Sequence, residues 1–187
     1  MLVPFGEACG MDDLEQQHRA DDTAVEEKLN AILKSIPDPR GGLPDAVFHF
    51  VRQVTPLLNV DLLLQCEKGA LLAWREDEYH VGWHIPGGIV RFREPLKTRI
   101  NAVAEIELGA AVESDSDPCA MNEFRDHSRG HFLSLLYRCR LRTELPASRM
   151  YRGAGLPAQG ALSWIQGVPA DLYPAQQFYV GWLAATS

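Results

Sequence analysis

The segment that best combines a tight backbone turn with acidic side chains runs from residue 86 to residue 109. Gly87 and Gly88 permit positive φ angles, so the backbone can approach a ligand closely. Apolar residues at helical spacing follow Pro95, and Glu107 lies near the end of that pattern. Backbone carbonyls that face a carboxylate are oxygen ligands that suit a hard cation such as Mg²⁺.

Three glutamates of this segment have different predicted roles. Glu107 lies beside the apolar face of the helix, and it is either a metal ligand or a surface residue that closes the helix. Glu105 is two residues away, about 200° around the helix, so these two carboxylates cannot share one ion. Glu94 precedes the helix and can interact with its positive N-terminal end.

The segment resembles the Nudix box, whose pattern is G-x5-E-x7-R-E-U-x-E-E-x-G-U, with U a bulky aliphatic residue. Gly88, Glu94, Glu107 and Gly109 fall at pattern positions, and Gly109 is placed to end the helix. Four other pattern positions carry different residues, namely Ala102, Val103, Ile106 and Ala110.

The chain also resembles one Nudix branch, the GDP-mannose mannosyl hydrolases, over roughly residues 44–180. The resemblance rests on the order of several short segments around the box, including 56–61, 71–75 and 82–88. It implies an α/β fold of the Nudix type, an α/β/α sandwich around a mixed β-sheet. We expect this domain to span residues 43–187, after a partly helical extension at 1–42 that serves in packing or dimerisation.

The resemblance also implies a function. We expect a magnesium-dependent hydrolase that acts on a nucleoside diphosphate sugar such as GDP-mannose and releases the sugar and the nucleoside diphosphate. One helix carboxylate with carbonyls and diphosphate oxygens can hold one Mg²⁺, or Mn²⁺ in its place. Two alternatives stay open: a diphosphatase that cleaves another nucleotide derivative at phosphorus, and a domain that binds a nucleotide sugar without turnover.

The family pattern assigns ligands to particular positions. Arg75 follows an apolar strand, and a guanidinium pairs well with phosphate oxygens, although a plain surface arginine has the same sequence context. Asp61 lies in an apolar strand and needs a hydrogen-bond partner if it is buried. The expected metal ligands are Gly87, Glu107 and Gln159, and the expected substrate-binding residues are Asp61, Arg75, Arg91 and His131.

This sequence differs from the branch mainly in the residue that would serve as the general base. The usual arginine after the two glycines is replaced by Ile89, and no histidine occurs in the segment 156–164, where the branch carries its base. The polar segment 114–130 is predicted to be a long loop that can reach over the metal. We therefore expect the base there, with Glu123, Asp126 and His127 as the candidates.

Composition limits the other possibilities. The 187-residue chain has a net charge of −7, which argues against nucleic-acid binding. Its four cysteines form no CxxC pair, so a zinc site is not expected. It has neither a signal-peptide pattern nor an apolar run long enough to span a membrane, so we expect a cytoplasmic protein without membrane contact. We also expect a homodimer.

Periodicity predicts the elements that position these residues. Helices are expected at 23–35, at 44–54, after Pro95, and from about residue 174 to the end. A fully buried strand is expected at 57–66, with an antiparallel partner at 70–75. Further strands are expected at 110–113, 131–143 and 161–165.

Overall fold

The computed structural model describes the backbone of residues 11–78, 81–127, 130–153 and 155–185. Side chains are described in the same ranges, apart from those of residues 11–21, 126 and 127. The helices are α1 (Met11–Ser35), α2 (Asp45–Val54), α3 (Leu96–Val103) with a π-helical turn (Ala104–Leu108), a 3₁₀ helix (Pro174–Tyr179) and α4 (Val180–Ala184). The strands are β1 (Leu57–Cys66), β2 (Gly69–Glu76), β3 (Val81–His84), β4 (Gly87–Ile89), β5 (Val112–Ser114), β6 (Ala120–His127), β7 (Gly130–Leu141) and β8 (Leu162–Ile165).

The strands form a mixed sheet that is split along its middle. β1 runs parallel to β7 over residues 57–64 and antiparallel to β4, while β5 and β6 both pair with β7. β2 is antiparallel to β3 and β8. β1 and β2 pair only next to the turn that joins them, at Gln65–Ala70 and Cys66–Gly69, so the two halves of the sheet separate beyond that point.

Helices cover both faces of this sheet. On one face, Ile100, Val103 and Leu108 of the box helix pack against alternate residues of β1 and β7. On the other face, Tyr179 and Leu183 of the C-terminal helices pack against the intervening residues. This arrangement is the predicted α/β/α sandwich. None of the described helices is both long and apolar enough to cross a membrane.

Most predicted elements are present. The strand at 57–66, its hairpin partner, the helix at 44–54 and the short strand at 161–165 are confirmed. The N-terminal helix is longer than predicted because it begins at Met11, well before the expected start at Thr23. No glycine or proline interrupts residues 11–35, which are rich in residues with high helix propensity.

The prediction of one long loop over residues 114–130 is wrong. Residues 120–127 form β6, an edge strand that pairs with β7 from Ala120–Leu136 to Phe124–Phe132. Its side chains alternate between exposed and half-buried, and the exposed ones include Met121, Glu123 and Arg125. The segment looks like a loop in the sequence because one face of this strand is in water and the other is only partly apolar.

The box loop packs closely on its neighbours because it contains two glycines. A Cβ atom on Gly88 would lie 2.9 Å from Cγ2 of Val103, so this glycine allows α3 to pack against β4. A Cβ atom on Gly87 would overlap Oδ1 of Asp61 and would also lie 3.0 Å from the Val60 carbonyl oxygen. The absence of a side chain at 87 therefore leaves the space that the buried carboxylate occupies.

We expect the substitution Gly87→Ala to lower the free energy of unfolding by about 1–3 kcal/mol, since the added methyl group overpacks a rigid site. Gly181→Ala is the matched control, because a Cβ atom there meets no other atom within 4 Å and the backbone φ is not positive. Urea denaturation measures both variants. Equal stabilities for the two variants would contradict the close approach of Gly87 to Asp61.

Candidate functional site

Strand pairing places two side chains opposite the end of the box helix. In the β2–β3 ladder, Arg75 pairs with Gly82 and Ala73 pairs with His84. Directly opposed residues share a face of a sheet, as do residues two apart along one strand. Arg75 and His84 therefore lie on the same face as Ala73, which packs in the core beneath the box helix.

The carboxylate of Glu107 lies between these two side chains. Its Oε1 atom is 3.2 Å from Nη2 of Arg75, and its Oε2 atom is 3.4 Å from Nε2 of His84. The Glu107 side chain is only 22% exposed. Burial raises the pKa of Glu107 above its usual value, and the nearby positive charges of Arg75 and Arg149 oppose that shift without cancelling it.

Arg149 holds the backbone beneath this carboxylate. Its guanidinium donates hydrogen bonds to the carbonyl oxygens of Ile106 (3.2 Å), Glu107 (2.6 Å) and Gly160 (2.8 and 3.0 Å). The last carbonyls of a helix have no partner within the helix, so a cation at this end is favourable. The helix then ends at Gly109, which has a φ of 65°. Arg149 thus fixes the end of the box helix to the segment 144–160.

The ladder between β1 and β4 indicates where the Gly87 carbonyl points. Leu62 donates its backbone N–H to the Pro86 carbonyl, and Val90 donates to the Leu58 carbonyl. Hydrogen-bonded and non-hydrogen-bonded pairs alternate along an antiparallel ladder, so the Asp61–Gly87 pair is of the second kind. The carbonyl of Gly87 is consequently directed away from β1, where it can accept an external ligand.

The oxygen atoms of the Glu107 carboxylate and the Gly87 carbonyl could bind a single hard cation whose remaining ligands come from the substrate. Mg²⁺ is commonly held by one or two carboxylates together with substrate phosphates and water. Glu107 supplies one carboxylate and Gly87 one carbonyl oxygen. Among the residues that the structure describes, no group of three or more His, Cys, Asp or Glu side chains is placed to hold a metal ion.

A second carboxylate, that of Asp61, lies deep in the same region. Ser134 and Tyr179 donate hydrogen bonds to its Oδ2 atom, and Asn59 donates one of 2.9 Å to its Oδ1 atom. Asp61 is only 4% exposed. Burial raises the pKa of Asp61, while the hydrogen bonds from Ser134, Tyr179 and Asn59 oppose the shift.

A cavity of about 210 Å³ opens where the two halves of the sheet separate. Arg75 and His84 line it with polar and cationic groups, and Asp61 lies in its polar wall. Its lining also includes three phenylalanine rings, of which two, Phe124 and Phe178, have centroids 4.0 Å apart. The third ring is Phe132. The cavity therefore combines a cation, buried acceptors and aromatic surface, which suits an anionic ligand that carries a ring.

Other predicted site residues lie elsewhere. His131 and Glu123 contact each other, with His131 Nε2 3.2 Å from Glu123 Oε1. They alternate with the cavity-lining residues Phe132 and Phe124, so their side chains are on the opposite face of the hairpin. The side chains of Asp126 and His127 lie outside the described ones, although both residues belong to β6.

Two further predicted residues have partners of their own, and a third lies on another surface. The side-chain oxygen of Gln159 accepts the backbone N–H of Glu76 at 2.6 Å, beside the end of β2. Glu94 accepts the backbone N–H of Arg91 (2.9 Å) and pairs with Arg99 (2.8 Å). Burial favours a higher pKa for Glu94, but these donors outweigh it and hold the pKa below its usual value. Arg91 itself is exposed and lines a different surface, beside α1 and α2.

Sequence reasoning missed several residues of the site. His84 carries no prediction of its own in the sequence, although pairing of Ala73 with His84 in a β2–β3 ladder places it beside Arg75. Trp83, the neighbour of His84, is 7% exposed and packs edge-on against Trp74, so it is a core residue. No sequence pattern singles out Arg149, because its contacts with the end of the box helix join residues more than 40 positions apart.

Solved structures with the same architecture are Nudix proteins. A MutT Nudix hydrolase from Burkholderia pseudomallei aligns with a TM-score of 0.54 and 20% identity, covering 68% of this chain and 97% of that protein. A Nudix-family hydrolase from Clostridium perfringens aligns with a TM-score of 0.52 and 10% identity, covering 70% and 97%. The fold is therefore the Nudix fold, as the box resemblance implied.

A curated relative adds a sequence similarity over part of the chain. The low-salt glycan biosynthesis protein Agl8 of Haloferax volcanii is 36% identical over 91 residues. The alignment covers 48% of this chain and 58% of the relative, so it spans little more than half of the relative's length. No model of a protein family matches the chain.

We expect Arg149→Met to lower the free energy of unfolding by about 2–4 kcal/mol, because several charge-assisted hydrogen bonds to backbone carbonyls are lost together. Arg149→Lys should recover part of this loss, since one ammonium can satisfy some of the carbonyls. Arg152→Met, at an exposed neighbouring position, is the control. Chemical denaturation measures all three, and a neutral Arg149→Met would show that the helix end does not depend on this contact.

Proposed function

We propose that this protein is a magnesium-dependent hydrolase of a nucleoside diphosphate sugar, with GDP-mannose as the reference substrate. The observation that carries the proposal is the partly buried Glu107 carboxylate at the end of the box helix, next to Arg75 and beside the cavity. The Nudix fold and the similarity to a protein named for glycan biosynthesis support it.

The shape and charge of the cavity support binding of such a substrate. Arg75 lies at the cavity edge, and its guanidinium can form parallel hydrogen bonds with diphosphate oxygens. Its position is fixed on two sides, by the Glu107 carboxylate and by the ring of Tyr173, whose centroid is 5.9 Å away. Phe124, Phe132 and Phe178 offer aromatic surface to a base or a sugar ring.

Glu107 and the carbonyl of Gly87 would hold one Mg²⁺, which when bound would offset the negative charge of the departing nucleoside diphosphate. His84 lies beside Glu107, next to the carboxylate oxygen that Arg75 does not contact. Its Nδ1 atom lies 2.9 Å from the Ile85 carbonyl oxygen, which can only accept, so a proton on Nδ1 is donated to that carbonyl. A hydrogen bond between Nε2 and Oε2 of Glu107 then requires one further proton, on the imidazole or on the carboxyl group. Arg75 therefore orients one oxygen of the carboxylate before any ligand arrives.

The reaction that this site suits is substitution at carbon. Water attacks C1 of the sugar, the bond from C1 to the diphosphate oxygen breaks, and the electron pair leaves with the nucleoside diphosphate. A general base accepts the proton of the water. We propose that the base is Asp126 or His127, near the tip of the β6–β7 hairpin, because the third candidate, Glu123, faces away from the cavity and pairs with His131.

A second candidate function is binding of a nucleotide sugar without turnover. It is favoured by one observation: Arg75 lies against the Glu107 oxygen that a metal ion would also use. In the rest of the described chain no cluster of acidic, histidine and cysteine side chains offers another metal site. A protein of this kind would bind nucleoside diphosphates through Arg75 while releasing no product.

The substitution Glu107→Gln tests the metal ligand. We expect it to weaken Mn²⁺ binding at least about tenfold and to abolish release of sugar, because the neutral amide is a much poorer ligand for a hard cation. Glu105→Gln is the matched control, since Glu105 is exposed on the same turn and should behave as wild type. Calorimetry follows Mn²⁺, and a sugar assay follows turnover. Wild-type binding and turnover in Glu107→Gln would remove Glu107 from the metal site.

The base assignment predicts a difference among three residues of one hairpin. Either Asp126→Asn or His127→Gln should lower the rate about 10²–10⁴-fold, the usual contribution of a general base, while substrate affinity changes little. Glu123→Gln is the control and should retain the wild-type rate. If Glu123→Gln alone were slow, or if all three variants were fast, the base would not be in the position proposed.

A further inference from the structure

Arg75 covers one oxygen of the Glu107 carboxylate on the side of the cavity. The arginine lines the cavity together with Gly87, whereas Glu107 is not among the described residues that line it. Nη2 of the guanidinium is 3.2 Å from Oε1 of Glu107 and donates a hydrogen bond to it. A cation that reached this oxygen from the cavity would therefore have to replace the guanidinium.

The ion pair between Arg75 and Glu107 has the features of a contact that can be exchanged. Within the described part of the chain, Glu107 is the only residue to which Arg75 donates a hydrogen bond. The nearby pair of Arg99 and Glu94 is shorter, at 2.8 Å, and its side chains are only 7 and 12% exposed, compared with 22% for both Arg75 and Glu107. A guanidinium that makes one long hydrogen bond keeps further N–H donors for a phosphate group. Arg75 can therefore leave its carboxylate more easily than Arg99 can.

The formal charges around Glu107 cancel when a divalent cation and a diphosphate are bound together. A diphosphate that joins a nucleoside to a sugar carries two negative charges, so its charge, that of the cation and those of Glu107 and Arg75 add up to zero. Either ligand alone leaves an imbalance, positive for the cation and negative for the diphosphate, and partial burial makes such an imbalance more costly. Arg75 is the only lysine or arginine among the described residues that line the cavity, so this balance depends on it.

We propose that Arg75 couples the binding of a divalent cation at Glu107 to the binding of a diphosphate in the cavity. The guanidinium covers Oε1 of Glu107 until a diphosphate arrives, then pairs with the phosphate oxygens and leaves Oε1 to the cation. Each ligand thereby raises the affinity for the other by the same factor. The inference rests on the metal and diphosphate contacts of the proposed function but not on turnover, so it applies to a hydrolase and to a binding protein alike.

Binding of Mn²⁺ in the absence of nucleotide, measured by electron paramagnetic resonance, tests whether Arg75 covers Glu107. Arg75→Gln should bind Mn²⁺ at least about tenfold more tightly than wild type, because the cation no longer has to break a charge-assisted hydrogen bond. Arg142→Gln is the matched control, since it removes the same charge from an exposed ion pair with Glu113, and it should bind Mn²⁺ as wild type does. Adding Glu107→Gln to Arg75→Gln should abolish the gain in affinity.

Calorimetric titration of GDP with and without Mn²⁺ tests the coupling itself. GDP serves as the probe because it supplies a diphosphate and requires no turnover. The factor by which Mn²⁺ raises the affinity for GDP should be at least about tenfold smaller in Arg75→Gln than in wild type, and Arg142→Gln should keep the wild-type factor.

The outcomes separate this inference from the proposed function. If Arg75→Gln bound Mn²⁺ no more tightly than wild type, while Glu107→Gln abolished Mn²⁺ binding in the presence of GDP, the coupling would be overturned and the proposed metal site would stand. If Glu107→Gln left Mn²⁺ binding unchanged with and without GDP, the metal site would be overturned and the coupling with it. A gain in Mn²⁺ affinity in Arg142→Gln equal to that in Arg75→Gln would also overturn the coupling, because it would reflect net charge alone.

Discussion

Burial of the Asp61 carboxylate is the constraint on which the arrangement of this protein depends. A carboxylate is costly to bury unless hydrogen bonds replace its water, and here Asn59 of β1, Ser134 of β7 and Tyr179 of the 3₁₀ helix supply them. The carboxylate also fills the space that Gly87 leaves open. One side chain therefore fixes β1, β7, the box loop and the C-terminal segment relative to each other, and these are the elements that surround the cavity.

The second carboxylate, Glu107, is held in a different way. It keeps partial contact with water and is oriented by cationic or polar groups from β2 and β3, while Arg149 fixes the backbone beneath it. Val103, at a position where the Nudix pattern has a glutamate, packs against Gly88 instead. Under the proposed function, Glu107 would be the one acidic ligand at the helix end, and the single cation that it held would mainly balance the charge of a leaving group.

Local patterns were sufficient to predict much of the fold. The largely buried strand at 57–66, its hairpin partner and the helix that ends at Gly109 follow from periodicity and from glycine and proline positions. The sequence does not predict the β6 strand, because an edge strand with one solvent-exposed face has a polar composition similar to that of a loop. Contacts of the site such as Arg149 with Glu107 depend on the tertiary approach of distant segments, which no short-range pattern encodes.

The most direct test of the central claim is the position of oxygen incorporation during hydrolysis. Wild-type protein is incubated with GDP-mannose and Mg²⁺ in ¹⁸O-labelled water, and the products are analysed by mass spectrometry and ³¹P NMR. Substitution at carbon predicts ¹⁸O in the released sugar and unlabelled GDP. Label in a phosphate would contradict this account and favour a diphosphatase, and tight binding of GDP-mannose without any product would favour the binding protein.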